Sequence, residues 1–203
     1  GIEICFVVNK LDYEKSDFDS AMAQLKENYG SHVAELQFPV NQGFGFDSIV
    51  DVLKMKLFKF NPDGKGDYTE HDIPDALKEK ANALHQELIE IVAEEDEELM
   101  SRFFDEGGTL TEEELIEGLS REIKAKKILP VLCTAGLPGV GVKPLTEFIC
   151  KYCPSPLDAA PFMAKKTGGE DYVEVAPDPN GAPAVFIFKT LSEPHVGEMS
   201  FFR

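Results

Sequence analysis

The chain has 203 residues, enough for one large domain or two small ones, and its apolar fraction of 43% is ordinary for a globular protein. Its formal net charge of −17 comes mostly from one segment, where it argues against direct nucleic-acid binding, and no apolar run is long enough to cross a membrane. We therefore expect a globular, cytoplasmic protein that is not bound to a membrane.

The sequence opens with a predicted strand that leads into a polar loop. Ile2–Val8 is a run of β-branched and aromatic residues typical of a buried strand in an α/β sheet, and Asn9-Lys10-Leu11-Asp12 follows it directly. Open α/β sheets bind ligands beyond the carboxyl ends of their strands. An ionised Asp12 could accept both N1–H and N2–H of guanine, a donor pair that adenine lacks. The loop therefore predicts guanine recognition, with a purely structural strand-to-helix turn as the alternative.

The other polar residues of this loop also suit a purine base. The amide of Asn9 both donates and accepts, so it can bond the base edge and tie neighbouring loops together. The aliphatic stem of Lys10 can lie over the ring plane while its ammonium stays in water. Asn9, Lys10 and Asp12 are therefore candidate guanine-binding residues.

The next segments predict a helix, a strand and a hairpin. The helix spans Asp17–Asn28, with apolar side chains on one face, and Gly30 ends it. Val33–Val40 is expected to return as one strand. Ile49–Phe60 has the pattern of hairpin strands, and a turn follows at Pro62–Gly64.

Residues 70–122 carry most of the acidity, with 18 acidic and four basic side chains and so a net charge of −14. A helix start is predicted at Asp72-Ile73-Pro74, and apolar residues follow at nearly helical spacing. The acidic side chains form either a solvated helix face or a docking surface for a basic partner. The acids that would form the docking surface are Glu79, Glu87, Glu90 and Glu94.

A second acidic helix is predicted after this first one. Leu99 to Phe104 continues the apolar face, and Gly107-Gly108 breaks the chain. Thr111 and Glu114 have the spacing of a capping box, which opens a helix that we expect to run to about residue 124.

A second buried-strand pattern, Ile128–Cys133, leads into another loop. The loop begins with Thr134-Ala135-Gly136 and continues into a glycine-rich stretch at 138–141. A helix over Val142–Tyr152 is predicted to close this part of the chain.

The last fifty residues predict a linker and short strands. Prolines at 154, 156 and 161 indicate a semi-rigid linker, and a polar, hairpin-like stretch follows it. Ala184–Arg203 is expected to form two strands around Glu193-Pro194.

The four cysteines are Cys5, Cys133, Cys150 and Cys153. Only the last two have a C-x-x-C spacing, and neither a second pair nor a histidine cluster accompanies them, whereas a structural zinc site needs four ligands. We expect reduced thiols and no metal site.

Several segments, in order and at matching spacing, resemble the elongation factor G family of bacterial translational GTPases. Asn9-Lys10-Leu11-Asp12 resembles the guanine-specificity motif of P-loop GTPases, and the other matching segments extend over nearly the whole chain. They are residues 49–56, 97–100, 110–114, 128–133, 154–158 and 196–203.

The resemblance implies an α/β fold assembled from three parts of a longer protein. Residues 1–45 and 128–154 would be the C-terminal part of a P-loop GTPase domain, on its guanine-binding side. Residues 46–127 would be an inserted α+β subdomain known as G prime. Residues 155–203 would be the linker and the first strands of a β-barrel domain, so the chain would be a fragment.

The same resemblance implies GTP and GDP as ligands, bound at the base by Asn9, Lys10, Asp12 and the loop Thr134-Ala135-Gly136. The family has Ser-Ala in that loop, where a backbone N–H is directed at guanine O6. An ungapped alignment places Ala135 and Gly136 there, and a one-residue shift places Thr134 and Ala135. Loss of the serine hydroxyl would weaken the support of Asp12.

Phosphate chemistry is expected to lie outside these residues. No G-x-x-x-x-G-K-[ST] motif occurs in the sequence, and in the family the P-loop, the switch regions, the catalytic histidine and the Mg²⁺ ligands lie upstream. We therefore expect no catalytic residue in the fragment and no GTP hydrolysis by it alone.

Ribosome binding is the expected role of the whole protein, acting as a monomer. In the family, the first long helix of the inserted subdomain meets the large-subunit stalk protein, and Glu79, Glu87, Glu90 and Glu94 fall in the matching helix. The main functional hypothesis is a GTPase that drives translocation of tRNA and mRNA. The alternative is a divergent paralogue that acts in ribosome recycling or as a weak GTPase that binds the stalk.

Overall fold

The computed structural model of the protein describes residues 2–94, 97–105, 109–166 and 168–202. It divides the chain into two units, one up to Cys153 and one from Pro154 onward. The described helices and strands of the first unit are, in chain order, β1 (Phe6–Val8), α1 (Phe18–Tyr29), β2 (Val33–Glu35), β3 (Gln37–Pro39), β4 (Ser48–Asp51), β5 (Lys56–Phe60), β6 (Tyr68–His71), α2 (Asp75–Glu94), α3 (Glu97–Asp105), α4 (Glu112–Lys124), β7 (Leu129–Cys133) and α5 (Val142–Tyr152).

A parallel sheet of order β1-β7-β2 carries the two candidate loops. The buried strand β7 lies in the middle, and its Cys133 pairs in register with Val8 of β1. The prediction of a first strand over Ile2–Val8 is correct only for its last three residues, because residues 2–5 lie outside β1. The expectation of a buried strand is also wrong: β1 is half-exposed, since only β7 pairs with it among the described strands.

The chain passes from this sheet to a second, antiparallel sheet of order β3-β4-β5-β6 at a single residue. The amide of Leu36 donates to the carbonyl of Val131 in β7. The carbonyl of Leu36 accepts from the amide of Val52, which directly follows β4. The predicted single strand Val33–Val40 is therefore wrong, because the hydrogen bonds on either side of Leu36 belong to different sheets. The predicted hairpin at Ile49–Phe60 is confirmed by the pairing of β4 with β5.

A buried polar pair joins the two sheets. The side-chain amide of Gln37 donates from Nε2 to Oδ2 of Asp51 at 3.1 Å, and its Oε1 accepts from the amide of Cys133 at 3.3 Å. Burial raises the pKa of Asp51, while its hydrogen bonds oppose that shift. Because buried polar groups are costly without partners, this network fixes the relative position of β3, β4 and β7.

The helices begin and end where local signals predict. The carboxylate of Asp17 accepts from the amide of Ser20 at the start of α1, and Gly30, at φ +68°, follows its end. Thr111 and Glu114 form the capping box of α4. The predicted break at Gly107-Gly108 lies outside the described residues.

Two apolar clusters form the core of the first unit. One packs α1 and the start of α2 against both sheets, and the other packs α2, α3, α4 and α5 around β7. The second cluster includes Leu88 and Val92 of α2 and Leu119 and Ile123 of α4, all at most 3% exposed. The acidic helices therefore have a wide buried face, and most acids of α2 and α4 lie on the outside, whereas Glu122 of α4 is buried.

The second unit consists of two antiparallel hairpins in its described part. The strands are β8 (Phe162–Lys165), β9 (Tyr172–Val175), β10 (Ile187–Glu193) and β11 (Gly197–Phe202). The two strands expected around Glu193-Pro194 are confirmed as β10 and β11. Among the residues described in either unit, no helix has both the length and the apolar character to cross a membrane.

Replacement of Gly141 by alanine tests the junction between β7 and α5. Gly141 has φ +76°, and a Cβ there would overlap the carbonyl oxygen of Cys133. We expect Gly141→Ala to lower the free energy of unfolding by about 3 kcal/mol, because backbone strain and overlap add, measured by urea denaturation.

The control is Gly45→Ala, which also has a positive φ, +84°, but no atom within 4 Å of the added Cβ. It should cost only about 1 kcal/mol from strain alone. Equal losses in the two variants would show that contact with Cys133 does not matter.

Candidate functional site

The two polar loops predicted from distant parts of the sequence meet at the carboxyl ends of β1 and β7. The amide of Thr134 donates to the carbonyl of Val8 at 2.9 Å, and the amide of Leu11 donates to the carbonyl of Thr134 at 3.3 Å. These bonds continue the parallel ladder past the ends of both strands. The loops at 9–12 and 134–141 therefore share one edge of the sheet, where open α/β folds bind ligands.

The side chain of Asn9 joins the two loops. Its Oδ1 accepts from the hydroxyl of Thr134 at 3.1 Å and from the amide of Gly136 at 3.1 Å, across 125 and 127 positions of sequence. With Oδ1 occupied, the Nδ2 group has no acceptor among the described residues and can donate to a ligand. The bonds from Thr134 and Gly136 confirm that this amide ties the two loops together, and its contact with a base stays a prediction.

The carboxylate of Asp12 is available to a ligand. It is half-buried, in a turn closed by a hydrogen bond from the amide of Tyr13 to the carbonyl of Lys10 at 3.0 Å. No described residue donates a hydrogen bond to this carboxylate. Both of its oxygens can therefore accept from a bidentate donor pair.

Lys10 has an unusual backbone conformation for a residue with a side chain. Its φ of +64° lies in the left-handed region, which turns the chain sharply between β1 and Asp12. Its Nζ lies 5.5 Å from the centre of the Tyr13 ring, at the distance of a cation–π contact. The side chain thus has an aromatic neighbour inside its own turn.

The amides of the second loop differ in their exposure. The Thr134 amide is used by Val8, and the amide of Ala135 donates to the carbonyl of Val140 at 2.9 Å, in a bridge that closes the loop. Both residues are buried, whereas Gly136 is exposed. The N–H of Gly136 lies at the surface but donates to Oδ1 of Asn9. All three amides are therefore used within the fold, and they do not distinguish the ungapped alignment from the shifted one.

The hydroxyl of Thr134 donates to Oδ1 of Asn9, so the second loop supports the candidate base-binding residues through Asn9. No hydroxyl in the described part of the chain supports Asp12 directly. The departure from the family's Ser-Ala pattern therefore leaves the contact between the two loops intact.

A third loop, which the sequence patterns did not reveal, supports the first. The amide of Gly43, at φ +81°, donates to the carbonyl of Leu11 at 2.8 Å, and the hydroxyl of Ser16 donates to the same carbonyl at 3.1 Å. The repeated glycines in Gly43-Phe44-Gly45 are a turn signal that could have indicated this loop. Its contact with Leu11 could not be found from sequence, because it depends on the tertiary fold.

The four candidate acids of α2 lie on the side of the helix opposite its buried residues. Glu79, Glu87, Glu90 and Glu94 are all exposed, whereas Ala81, Leu88 and Val92 are buried. Glu87 also forms an ion pair with Lys26 of α1 at 3.0 Å. The acidic face is therefore accessible, but one of its members contributes to the contact between α1 and α2.

All four cysteines are free thiols. Burial, followed by the neighbouring Cys153, raises the pKa of Cys5 to about 12, and burial raises the pKa of Cys133 well above its usual value. Cys150 is exposed on α5. Raised thiol pKa values make Cys5 and Cys133 unreactive at neutral pH.

Comparison with known proteins supplies the fold class first and then the family. No protein-family profile matches the chain. A crystal structure of a Thermus thermophilus protein matches all of this chain and 27% of its own, with a TM-score of 0.74 and 23% identity. This match establishes a mixed α/β fold with a parallel sheet and several antiparallel ones.

The sequence comparison defines the family. An elongation factor G from Amoebophilus asiaticus (strain 5a2) is 34% identical over 201 residues, which are 98% of this chain and 28% of that protein. The chain thus belongs with the elongation factor G family, as the sequence motifs indicated. It spans a little over a quarter of the length of the relative that it matches.

The bridging role of Asn9 can be tested in the chain by hydrogen exchange. Asn9→Ala removes the acceptor for the Gly136 amide, so we expect that amide to exchange about fivefold faster, as loss of one hydrogen bond of about 1 kcal/mol predicts. NMR or mass spectrometry can follow the exchange.

Two further variants sharpen this measurement. Thr134→Val removes only the hydroxyl bond and should have a smaller effect on the Gly136 amide. Asn28→Ala, which loses an exposed bond within α1, should have none. Unchanged exchange in Asn9→Ala would contradict the bridge.

Proposed function

We propose that the chain is the base-binding part of a translation factor that binds and hydrolyses GTP on the ribosome to drive translocation of tRNA and mRNA. The observation that carries the proposal is the meeting of the two loops through Asn9, with the carboxylate of Asp12 left available beside them. The membership in the elongation factor G family supports it.

Guanine is the base that fits these groups. Its N1–H and N2–H match the two acceptor oxygens of Asp12, and the Nδ2 group of Asn9 supplies a donor for an acceptor on the base edge. The amide of Gly136 would support base binding by holding Oδ1 of Asn9 in place, and the stem of Lys10 would cover the ring. Thr134, Ala135 and Gly136 would act by shaping the loop, since the amides of all three are used within the fold.

In this proposal, phosphate binding and GTP hydrolysis are carried out by parts of the protein outside these 203 residues. Residues 1–45 and 128–154 would be part of the GTPase domain, 46–127 the inserted subdomain, and 155–203 a linker and the first strands of a β-barrel domain. The 203 residues contain no phosphate-binding motif, so they should not hydrolyse GTP by themselves. Mg²⁺ would be held outside the chain, and the whole protein would act as a cytoplasmic monomer.

Base recognition is tested by Asp12→Asn in a protein that contains the complete GTPase domain. Loss of the two charge-assisted hydrogen bonds should lower the affinity for GDP about 100-fold and raise the affinity for xanthosine diphosphate, which has a carbonyl in place of the 2-amino group. Equilibrium titration with fluorescent nucleotides measures both.

The control for this experiment is Glu14→Gln, which removes an exposed charge two residues further along the same loop. It should leave both affinities unchanged. A GDP affinity that is the same in Asp12→Asn and in the unaltered protein would overturn the guanine assignment.

The acidic face of α2 supports a second part of the proposal, docking on a basic surface of the ribosomal stalk protein. Glu79, Glu90 and Glu94 are exposed and project from a helix whose other side is buried, which suits electrostatic steering of a partner. The alternative role, a recycling factor or a weak GTPase that binds the stalk, would use the same face. This alternative is kept because the loop has Thr134-Ala135-Gly136 where the family has Ser-Ala, which is a departure at the proposed guanine site.

Charge reversal tests the docking surface. Glu79→Lys combined with Glu90→Lys should weaken stalk stimulation of GTP turnover about tenfold at low salt while GDP affinity is unchanged. We choose these two positions because reversal at Glu87 would also break its ion pair with Lys26.

Glu113→Lys combined with Glu117→Lys is the matched control, since it makes the same change of charge on exposed positions of α4. Stalk stimulation should remain close to normal in this control. An equal loss in both double variants would point to net charge, and no loss in the α2 variant would exclude this face.

A further inference from the structure

The turn between β5 and β6 packs directly on the glycine-rich end of the second candidate loop. The contact joins Gly64 and Gly66 of the turn to Pro138 and Gly139 of the loop, which are more than seventy positions away in sequence. From the sequence, both segments are predicted only as turns. Their contact connects the antiparallel sheet to the loop that follows β7.

Backbone meets backbone in this contact, and only glycine allows the approach. A Cβ on Gly66 would lie 2.9 Å from the carbonyl oxygen of Gly139, and a Cβ on Gly139 would lie 3.0 Å from the carbonyl oxygen of Gly64 and from the amide nitrogen of Gly66. Real Cβ atoms essentially never come within 3.0 Å of such atoms. The backbones of the turn and of the loop are therefore so close that a side chain on either glycine would force them apart.

Side chains on β6 and α5 reinforce the contact. Lys143 Nζ lies 3.1 Å from Oδ1 of Asp67, and the hydroxyl of Tyr68 donates to Oε2 of Glu147 at 3.1 Å. The first bond joins Asp67, just before β6, to α5, and the second joins Tyr68 of β6 to α5. The loop is thus attached to the antiparallel sheet at its glycine contact and through the helix that follows it.

The contact lies close to the residues that form the candidate guanine site. Gly139 precedes Val140, whose carbonyl accepts from the amide of Ala135 and so closes the loop. Ala135 precedes Gly136, whose amide bonds Asn9. A shift of Gly139 would therefore be transmitted to Gly136 through one backbone hydrogen bond and two peptide units.

We propose that the β5–β6 turn is a positioning element of the guanine site, in which Gly66 holds the 134–141 loop in its base-binding conformation. The loop has one internal bridge, so a second contact reduces the conformations it can adopt before a ligand binds. The link to guanine rests on the proposed function, whereas the support of the loop by the turn does not.

A consequence is that the antiparallel sheet and the base would be coupled. Any partner that moves the β5–β6 turn would change nucleotide affinity, and nucleotide would change the affinity for that partner by the same factor. Gly66 would act through the loop and would not touch the base, so it is a positioning residue.

The test compares alanine at two glycines of the same turn. Gly66→Ala introduces the clash with Gly139, whereas Gly64→Ala has nearly the same left-handed φ, +73° against +78°, and its Cβ would be 4.0 Å from the nearest atom. In the nucleotide-free chain, we expect the Ala135 and Gly136 amides to exchange about tenfold faster in Gly66→Ala only. Exchange that is unchanged, or raised equally in both variants, overturns the proposal.

A third variant keeps the test decisive if Gly66→Ala unfolds. Asp67→Ala removes the partner of Lys143 without adding atoms or strain, and we expect it to raise exchange at the same two amides about threefold. Glu70→Ala, which removes the exposed partner of Lys54 on the same strand, is its control. The proposal fails if Asp67→Ala changes exchange no more than Glu70→Ala.

The second measurement uses a protein with the complete GTPase domain and distinguishes positioning from general damage. Gly66→Ala should lower the affinities for GDP and inosine diphosphate by the same factor, about five- to tenfold. The two nucleotides share O6, and only the N2 amino group that Asp12 would bind distinguishes them. The ratio of the two affinities should therefore be unchanged.

Unaltered affinities in Gly66→Ala, in a protein where Asp12→Asn does lower GDP affinity, overturn the proposal. Loss of discrimination between GDP and inosine diphosphate also overturns it, because the damage would then extend to Asp12. Failure of the guanine assignment itself would show separately, as an Asp12→Asn variant with normal GDP affinity.

Discussion

The parallel pairing of β1 with β7 is the constraint on which the rest of the site depends. It brings Val8 beside Cys133, so the residues that follow each strand leave the sheet at the same edge. Asn9 then fixes the two loops to each other through Thr134 and Gly136. Without the pairing, Asp12 and the second loop would have no fixed relation, and their separate chemistry could not act on one base.

The second sheet is attached to this edge by contacts of a different kind. Leu36 carries the chain from one sheet to the other, and buried Gln37 bonds both Asp51 and Cys133. At the far end, Gly66 packs on the loop that follows β7. The antiparallel sheet is therefore connected to β7 through Gln37 and to the loop after β7 through Gly66. These two contacts hold the proposed guanine site from the side of the second sheet.

The charge distribution of the acidic helices follows from the same packing. The inner faces of α2 and α4 are buried against each other and against β7, so most acids of these two helices lie outside, where water solvates them. The net charge of the chain does not indicate which of these acids are structural. Glu122 is buried beside Arg121 and Lys127. Glu87 is exposed but paired with Lys26, whereas Glu79 and Glu94 are exposed and have no ion-pair partner among the described residues.

Local signals in the sequence were enough to predict the bounds of α5 and the capping box of Thr111 and Glu114, because those interactions span only a few residues. They also predicted the polar loop after β1 and the family. Only the tertiary structure decided that Val33–Val40 divides at Leu36, that β1 is half-exposed, and that Gly66 meets the second loop. Each of these depends on which distant strand or loop supplies the hydrogen bonds and the contact surface, and no local pattern contains that information.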